Sequence, residues 1–138
     1  MDLILVDTGY WLALELSRDQ NHTTAIEHWR SLTGNLPRLV ATSYIFDEVV
    51  TFFNSRGYHD KAVQVGNWLL HSPSVHMVHV DEALFFAGWT YFQQRQDKSY
   101  SLTDCISFVI MEQLKINTAF TFDQHFTQAG FEQEPHLR

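Results

Sequence analysis

Asp7 directly follows the apolar run Leu3 to Val6, and Asp123 directly follows the run "TAFTF". Asp104 stands three residues after Ser101, in the first turn of a helix, and Glu48 stands about one turn inside the helix that Ser43 opens. Carboxylates gathered at about 4 to 6 Å repel one another and raise each other's pKa unless cations lie between them, so such a group implies a hard divalent ion. Oxygen donors suit Mg²⁺ or Mn²⁺ rather than zinc. Each acid also has a plainer explanation. Asp7 and Asp123 are of a type that caps helices, Ser101-Leu102-Thr103-Asp104 matches a capping box, and Glu48 could be a solvated helix residue. Position favours the metal reading. All four fall at one edge of a sheet when the elements are placed by hydrophobic pattern alone, whereas Asp47, Asp60, Asp81 and Asp97 do not all do so.

The elements that must position these acids follow from apolar spacing. Leu3 to Val6 reads as a strand covered on both faces, and Thr8 and Gly9 as a turn entering a helix that carries Tyr10, Trp11 and Leu14. Ala25, Ile26, Trp29 and Leu32 give an amphipathic helix from His22 that ends near Gly34. Leu39 to Thr42 is a second strand. Ser43 caps a helix with Ile45, Val49, Phe52 and Phe53 inward, which stops before Gly57. A helix over 60–71 closes at Ser72-Pro73, and "VHMVHV", 75–80, is a third strand. Asp81 opens a helix through Phe85, Trp89 and Phe92, and Ser101 to Lys115 is helical by the spacing of Ile106, Val109, Ile110 and Leu114. Residues 118–122 form the last strand, and a short helical or irregular tail follows. Strands alternating with helix pairs predict a three-layer α/β/α sandwich around a mainly parallel sheet of four or five strands.

Composition sets the outer bounds. With 138 residues, 45% of them hydrophobic and 14% aromatic, the chain can bury a core as a single domain, 1–138, with no repeat, low-complexity stretch or linker. Cys105 is the only cysteine, so no intrachain disulfide forms. No apolar run approaches the ~18 residues of a membrane span, and no basic, apolar leader opens the chain, so a cytoplasmic protein is expected. Nine Lys and Arg against sixteen Asp and Glu give a net charge of -7, which repels a polyanion unless cations offset some of the acids.

Taken together, "VDTGYWLAL", "YIFDEVVTFF", "SLTDCISFVIMEQLKI" and "AFTFDQHFTQAGF" resemble the PIN-domain ribonucleases, above all toxins of the VapC type. The resemblance runs from about residue 2 to 131 and leaves 132–138 as a tail. It implies that Asp7, Glu48, Asp104 and Asp123 occupy the family's acidic metal-binding positions. By the same resemblance, Thr103 and Thr121 supply supporting hydroxyls. The implied activity is Mg²⁺- or Mn²⁺-dependent hydrolysis of single-stranded RNA leaving 5′ phosphate, by the toxin of a toxin–antitoxin pair. A homodimer and an antitoxin protein are the implied partners, and Phe52, Phe53, Trp68, Phe85 and Phe86 could supply apolar surface for them. Many relatives carry Ser where this chain has Gly9.

Two other readings compete. A phosphotransfer hydrolase of the haloacid dehalogenase type would use Asp7 as nucleophile, but it normally has a second acid two residues on, where Gly9 stands. A PIN-like fold kept only as a binding module would not need all four acids. Arg18, Arg30, Arg38, Arg56 and Lys61 could contact phosphates, though solvated surface charge explains each. His76 and His79 fall on opposite faces of a strand, and His22 and His28 do not share a helix face closely, so neither pair chelates zinc. Cys105 reads as a buried thiol rather than a nucleophile.

Overall fold

The computed structural model describes residues 2–136. Its elements are β1 (Leu3–Val6), α1 (Thr8–Glu15), α2 (His22–Ser31), β2 (Arg38–Thr42), α3 (Ser43–Ser55), α4 (His59–His71), β3 (Val75–Val78), α5 (Glu82–Gln93), α6 (Leu102–Leu114), β4 (Thr118–Phe120), α7 (His125–Gln128) and β5 (Glu132–Glu134). The strands form one sheet in the order β3-β2-β1-β4-β5, and every pairing is parallel. From β1 the chain steps outward to β2 and β3, then crosses back to β4 and β5. Parallel crossovers are right-handed, so the two directions of travel put their helices on opposite faces. Accordingly α1 contacts α2 and α3, and α3 contacts α4, on one side, while α5 and α6 pack together on the other. The sheet is sandwiched between helical layers, as the alternation of elements predicts.

Burial explains why β1 is uninterrupted in its apolar character: Leu5 and Val6 are wholly covered, as a central parallel strand requires. Tyr10, Phe53, Phe108, Phe120 and Phe126 are also buried and form edge-to-face or tilted ring contacts, such as Phe108 with Phe126 and Tyr10 with Phe120. Much of the aromatic content is therefore core. The α5–α6 contact is unusually close at Gly88, where a Cβ would come within 2.5 Å of Ile106 Cγ1. Glycine at that point is what lets the two helices touch.

Several boundaries depart from the sequence expectation. Thr42, not Ser43, caps α3 by accepting from the Ile45 N–H at 3.1 Å, and Ser43 Oγ instead accepts from the Val80 N–H. Phe53 is buried but Phe52 is only half-buried, with the Arg56 guanidinium 3.5 Å from its ring centroid. β3 stops at Val78, so the strand alternation does not extend to His79; both His76 and His79 are exposed. Leu114 is exposed at the end of α6. β4 stops at Phe120, two residues short of the expected end.

The largest departure lies in the segment expected as a tail. Glu132–Glu134 is an edge strand, although Glu-Gln-Glu has no apolar alternation. Its partners make it one: the Glu132 N–H donates to Asn117 O at 2.8 Å, and the Thr121 N–H donates to Glu134 O at 3.0 Å. Side chains add to this, with Gln133 Nε2 donating to Thr121 O and His28 Nε2 3.2 Å from Glu134 Oε1. Tertiary context has overridden propensity. Residues 137 and 138 of the expected tail lie outside the described residues.

Candidate metal centre

Strand order reverses between β1 and β4, and in open parallel sheets that reversal opens a crevice beyond the strands' carboxyl ends. Asp7 enters it directly from β1. Its N–H donates to Phe120 O at 3.0 Å, so the β1–β4 pairing continues past the strand end. Thr121, wholly buried just beyond β4, ties the rim together: its hydroxyl donates to Asp7 Oδ2 at 3.0 Å and accepts from the Asp123 N–H at 2.9 Å. One side chain thus holds two of the four acids in place. Thr121→Val should therefore lower the melting point and weaken metal binding, since an unpaired buried acceptor costs about 1–3 kcal/mol. Thermal unfolding with and without Mn²⁺ checks this, and an unchanged curve in both conditions would contradict it.

The remaining acids arrive by different routes. Asp7 occupies the cap position of α1, yet its side chain makes no cap bond, so capping does not account for it. Asp104 does form the capping box, with Oδ2 accepting from the Ser101 N–H at 3.2 Å and Ser101 Oγ accepting from the Asp104 N–H at 3.0 Å. That same Oδ2 lies 3.1 Å from His125 Nδ1, so the cap also presents the carboxylate to the crevice. Asp123 Oδ1 accepts from the His125 N–H at 2.9 Å, and Oδ2 lies 3.2 Å from His125 Nδ1. Glu48, exposed in the second turn of α3, accepts from Thr8 Oγ1 at 2.6 Å.

A cleft of about 780 Å³ is lined by Asp7, Glu48, Asp104 and Asp123, together with Thr8, Gly9, Ser99, Ser101, His125 and Gln133. Thr103 is buried in the first turn of α6, does not line the cleft, and bonds none of the four acids among the described residues. A Cβ at Gly9 would meet nothing within 4 Å, which leaves open space at that point of the wall. Sequence reasoning missed His125. It stands two residues beyond Asp123, where the short helix α7 turns its ring over the carboxylate, a placement that histidine spacing does not mark.

Electrostatics show which charges a bound cation would offset. Burial pushes Asp7 up to about 7, the Asp104 charge adds to the rise, and the Thr121 hydroxyl and Thr8 N–H oppose it. Asp104 is raised as well, first by burial and further by Asp123, against hydrogen bonds from Ser101 and His125. Among the described residues, no Lys or Arg lines the cleft. One ligand atom each from Asp104, Asp123 and His125 lie within 4.8 Å of one another, and Asp7 and Glu48 border the same cleft. This oxygen-rich set with one imidazole fits a hard or borderline divalent ion. Elsewhere, Cys105 is buried and its thiol is pushed up to about 11, chiefly by burial, which suits packing and not nucleophilic attack. Arg18, Arg30, Arg38, Arg56 and Lys61 do not line the cleft, and Lys61 is paired with Glu15.

Comparison with known proteins places nearly the whole chain among its relatives. The 23S rRNA-specific endonuclease VapC20 of Mycobacterium tuberculosis is 33% identical over 129 residues, which cover 94% of this chain and 95% of that protein. The VapC ribonuclease of Archaeoglobus fulgidus is 25% identical over 125 residues, 89% of this chain and 78% of that one. The crystal structure of the M. tuberculosis VapC20, described as a sarcin-ricin loop cleaving toxin, matches with a TM-score of 0.83 at 32% identity, covering 93% of this chain and 95% of that chain. The family model of the PIN domain matches residues 4–132, and the chain belongs to the PIN-domain family.

Proposed function

We propose that this protein is an Mg²⁺- or Mn²⁺-dependent endoribonuclease and the toxin of a toxin–antitoxin pair. The observation that carries the reading is the meeting of Asp7, Glu48, Asp104 and Asp123 in one cleft that no lysine or arginine among the described residues lines. Asp7, Asp104 and Asp123 would hold the ion, with His125 beside the last two. A bound divalent ion supplies charge for the phosphodiester and a water of lowered pKa. The chain does the rest. Thr121 fixes Asp7 and Asp123, the Ser101 cap fixes Asp104, and the Thr8 hydroxyl aims Glu48, whose free oxygen can take a proton from the attacking water. The space beside Gly9 leaves room for a sugar–phosphate backbone.

Cleavage of the sarcin-ricin loop by the M. tuberculosis relative makes a structured RNA loop the first substrate to test. Incubation with total RNA and Mn²⁺, with EDTA and Asp104→Asn as controls, followed by mapping of the ends, should give discrete cuts with 5′ phosphates only for the wild type with metal. Cutting that persists in EDTA or in the variant would refute the reading, as would an inert wild type. A dehalogenase-like use of Asp7 finds no second acid, since Gly9 stands two residues on. The proposed setting is the cytoplasm, and no helix among the described residues is long and apolar enough to cross a membrane. A homodimer and an antitoxin are proposed partners. Exposed Trp68 and Phe86 provide surface for them, whereas Phe53 is taken up by the core.

A further inference from the structure

Ser99 lines the metal cleft and also a second hollow of about 360 Å³ at the carboxyl end of α5, which Trp89, Phe92, Arg95 and Lys98 line as well. The two spaces share that residue as part of their walls. Ser99 Oγ lies 3.3 Å from His125 Nε2, so the connecting loop is tied to the side chain that touches Asp104 and Asp123. Trp89 and Phe92 sit one turn apart with rings stacked at 5.4 Å and 12°, yet they remain 42% and 39% exposed. Two near-parallel stacked rings, each partly open to water, leave room for a third flat group to join the stack. Beside them the Arg95 guanidinium lies 3.5 Å from the Tyr91 ring centroid, which holds a cation in place. Among the described residues, Lys98 makes a loose, exposed contact with Asp97 at 3.9 Å.

We propose that this hollow binds an unpaired nucleotide of the RNA substrate, its base stacked on Trp89 and Phe92 and its phosphate paired with Lys98 and Arg95. The inference rests on the nuclease reading above. Charge complementarity selects RNA: an apolar protein face would cover the rings but bring no anion to the two cations, whereas a nucleotide brings a flat base and a phosphate together. It also answers the objection of net charge. A chain at -7 needs local cations beside its cleft to hold a polyanion, and here two of its nine share the hollow with Ser99.

Binding of a fluorescein-labelled RNA stem–loop in EDTA, followed by anisotropy, reads this site without cleavage. Trp89→Ala should raise Kd about tenfold and Trp89→Phe should restore most of it. Lys98→Ala should reduce the slope of log Kd against log salt by roughly 0.7 to 1. Trp89 is exposed, so both of its variants should keep the wild-type circular dichroism. Unchanged affinity and salt slope in the variants would overturn the proposal, and so would absence of RNA binding by the wild type. Sedimentation showing that Trp89→Ala splits a dimer while RNA affinity is unaltered would also overturn it, by making this face a protein interface. A wild type that binds through Trp89 but fails to cut with Mn²⁺ would sink the nuclease reading and leave this site standing.

Discussion

Asp7→Asn should fold, melt higher than the wild type at pH 8 in EDTA, and cut RNA on the order of a thousandfold more slowly with Mn²⁺. The loss follows from the several kcal/mol that a bound divalent ion contributes to a phosphoryl transition state, once one of its anchoring carboxylates is gone. The gain in stability follows from burial. Asp7 is 7% exposed, faces the Asp104 charge, and has no lysine or arginine among the described residues beside it in the cleft. An amide keeps the Thr121 hydrogen bond while removing the repulsion. Cleavage rates measured beside melting curves separate the two effects. A variant that cuts at the wild-type rate, or that melts well below the wild type without metal, would contradict the account.

The second large effect is a pH dependence. Asp7 stands at about 7 in the folded chain against an ordinary value of 3.8, so the folded state holds this proton more tightly than the unfolded chain does. Stability from this group is therefore full below about 3.8, falls as pH rises through the window from about 4 to 7, and is gone above it. The loss amounts to about 4 kcal/mol at most. Asp104, raised by burial, acts in the same direction. Other acids titrate in that range too, so the difference between wild type and Asp7→Asn isolates the group. In EDTA the two should melt alike near pH 4 and diverge toward pH 8, with the variant higher. Mn²⁺ at pH 8 should close most of this gap, since ligand at a hundredfold excess over Kd adds about 2.7 kcal/mol to the wild type. Parallel melting curves across the whole range would contradict the electrostatic picture of the cleft.

The sheet was legible in the sequence where burial on both faces leaves a continuous apolar run, as at Leu3–Val6, and the helices where one apolar face repeats. Glu132–Glu134 was not, because nothing in Glu-Gln-Glu marks a strand; it pairs through backbone groups of β4 and through Gln133 and Glu134 side chains that local pattern does not reveal. In the site, Asp7 and Asp123 were legible because they close apolar runs that end at one rim. Asp104 was ambiguous for a physical reason: the capping box and the approach to His125 use the same oxygen, so one residue serves both readings. The two threonines diverge because Thr121 lies in the turn after β4, pointing across to Asp7, whereas Thr103 is buried in the first turn of α6. His125 was hidden because no spacing of histidines reveals a ring brought over a carboxylate by a four-residue helix.

The cleft's acids are held by three separate devices: a threonine bridging two strand ends, a helix cap, and a second threonine steadying Glu48. Such bracing keeps repelling groups close before any ion arrives. Anomalous diffraction from crystals soaked in Mn²⁺ tests this most directly. The account predicts a manganese peak within bonding distance of oxygens from Asp7, Asp104 and Asp123, absent from Asp104→Asn crystals. No peak in that cleft, or a peak bound only elsewhere, would contradict it.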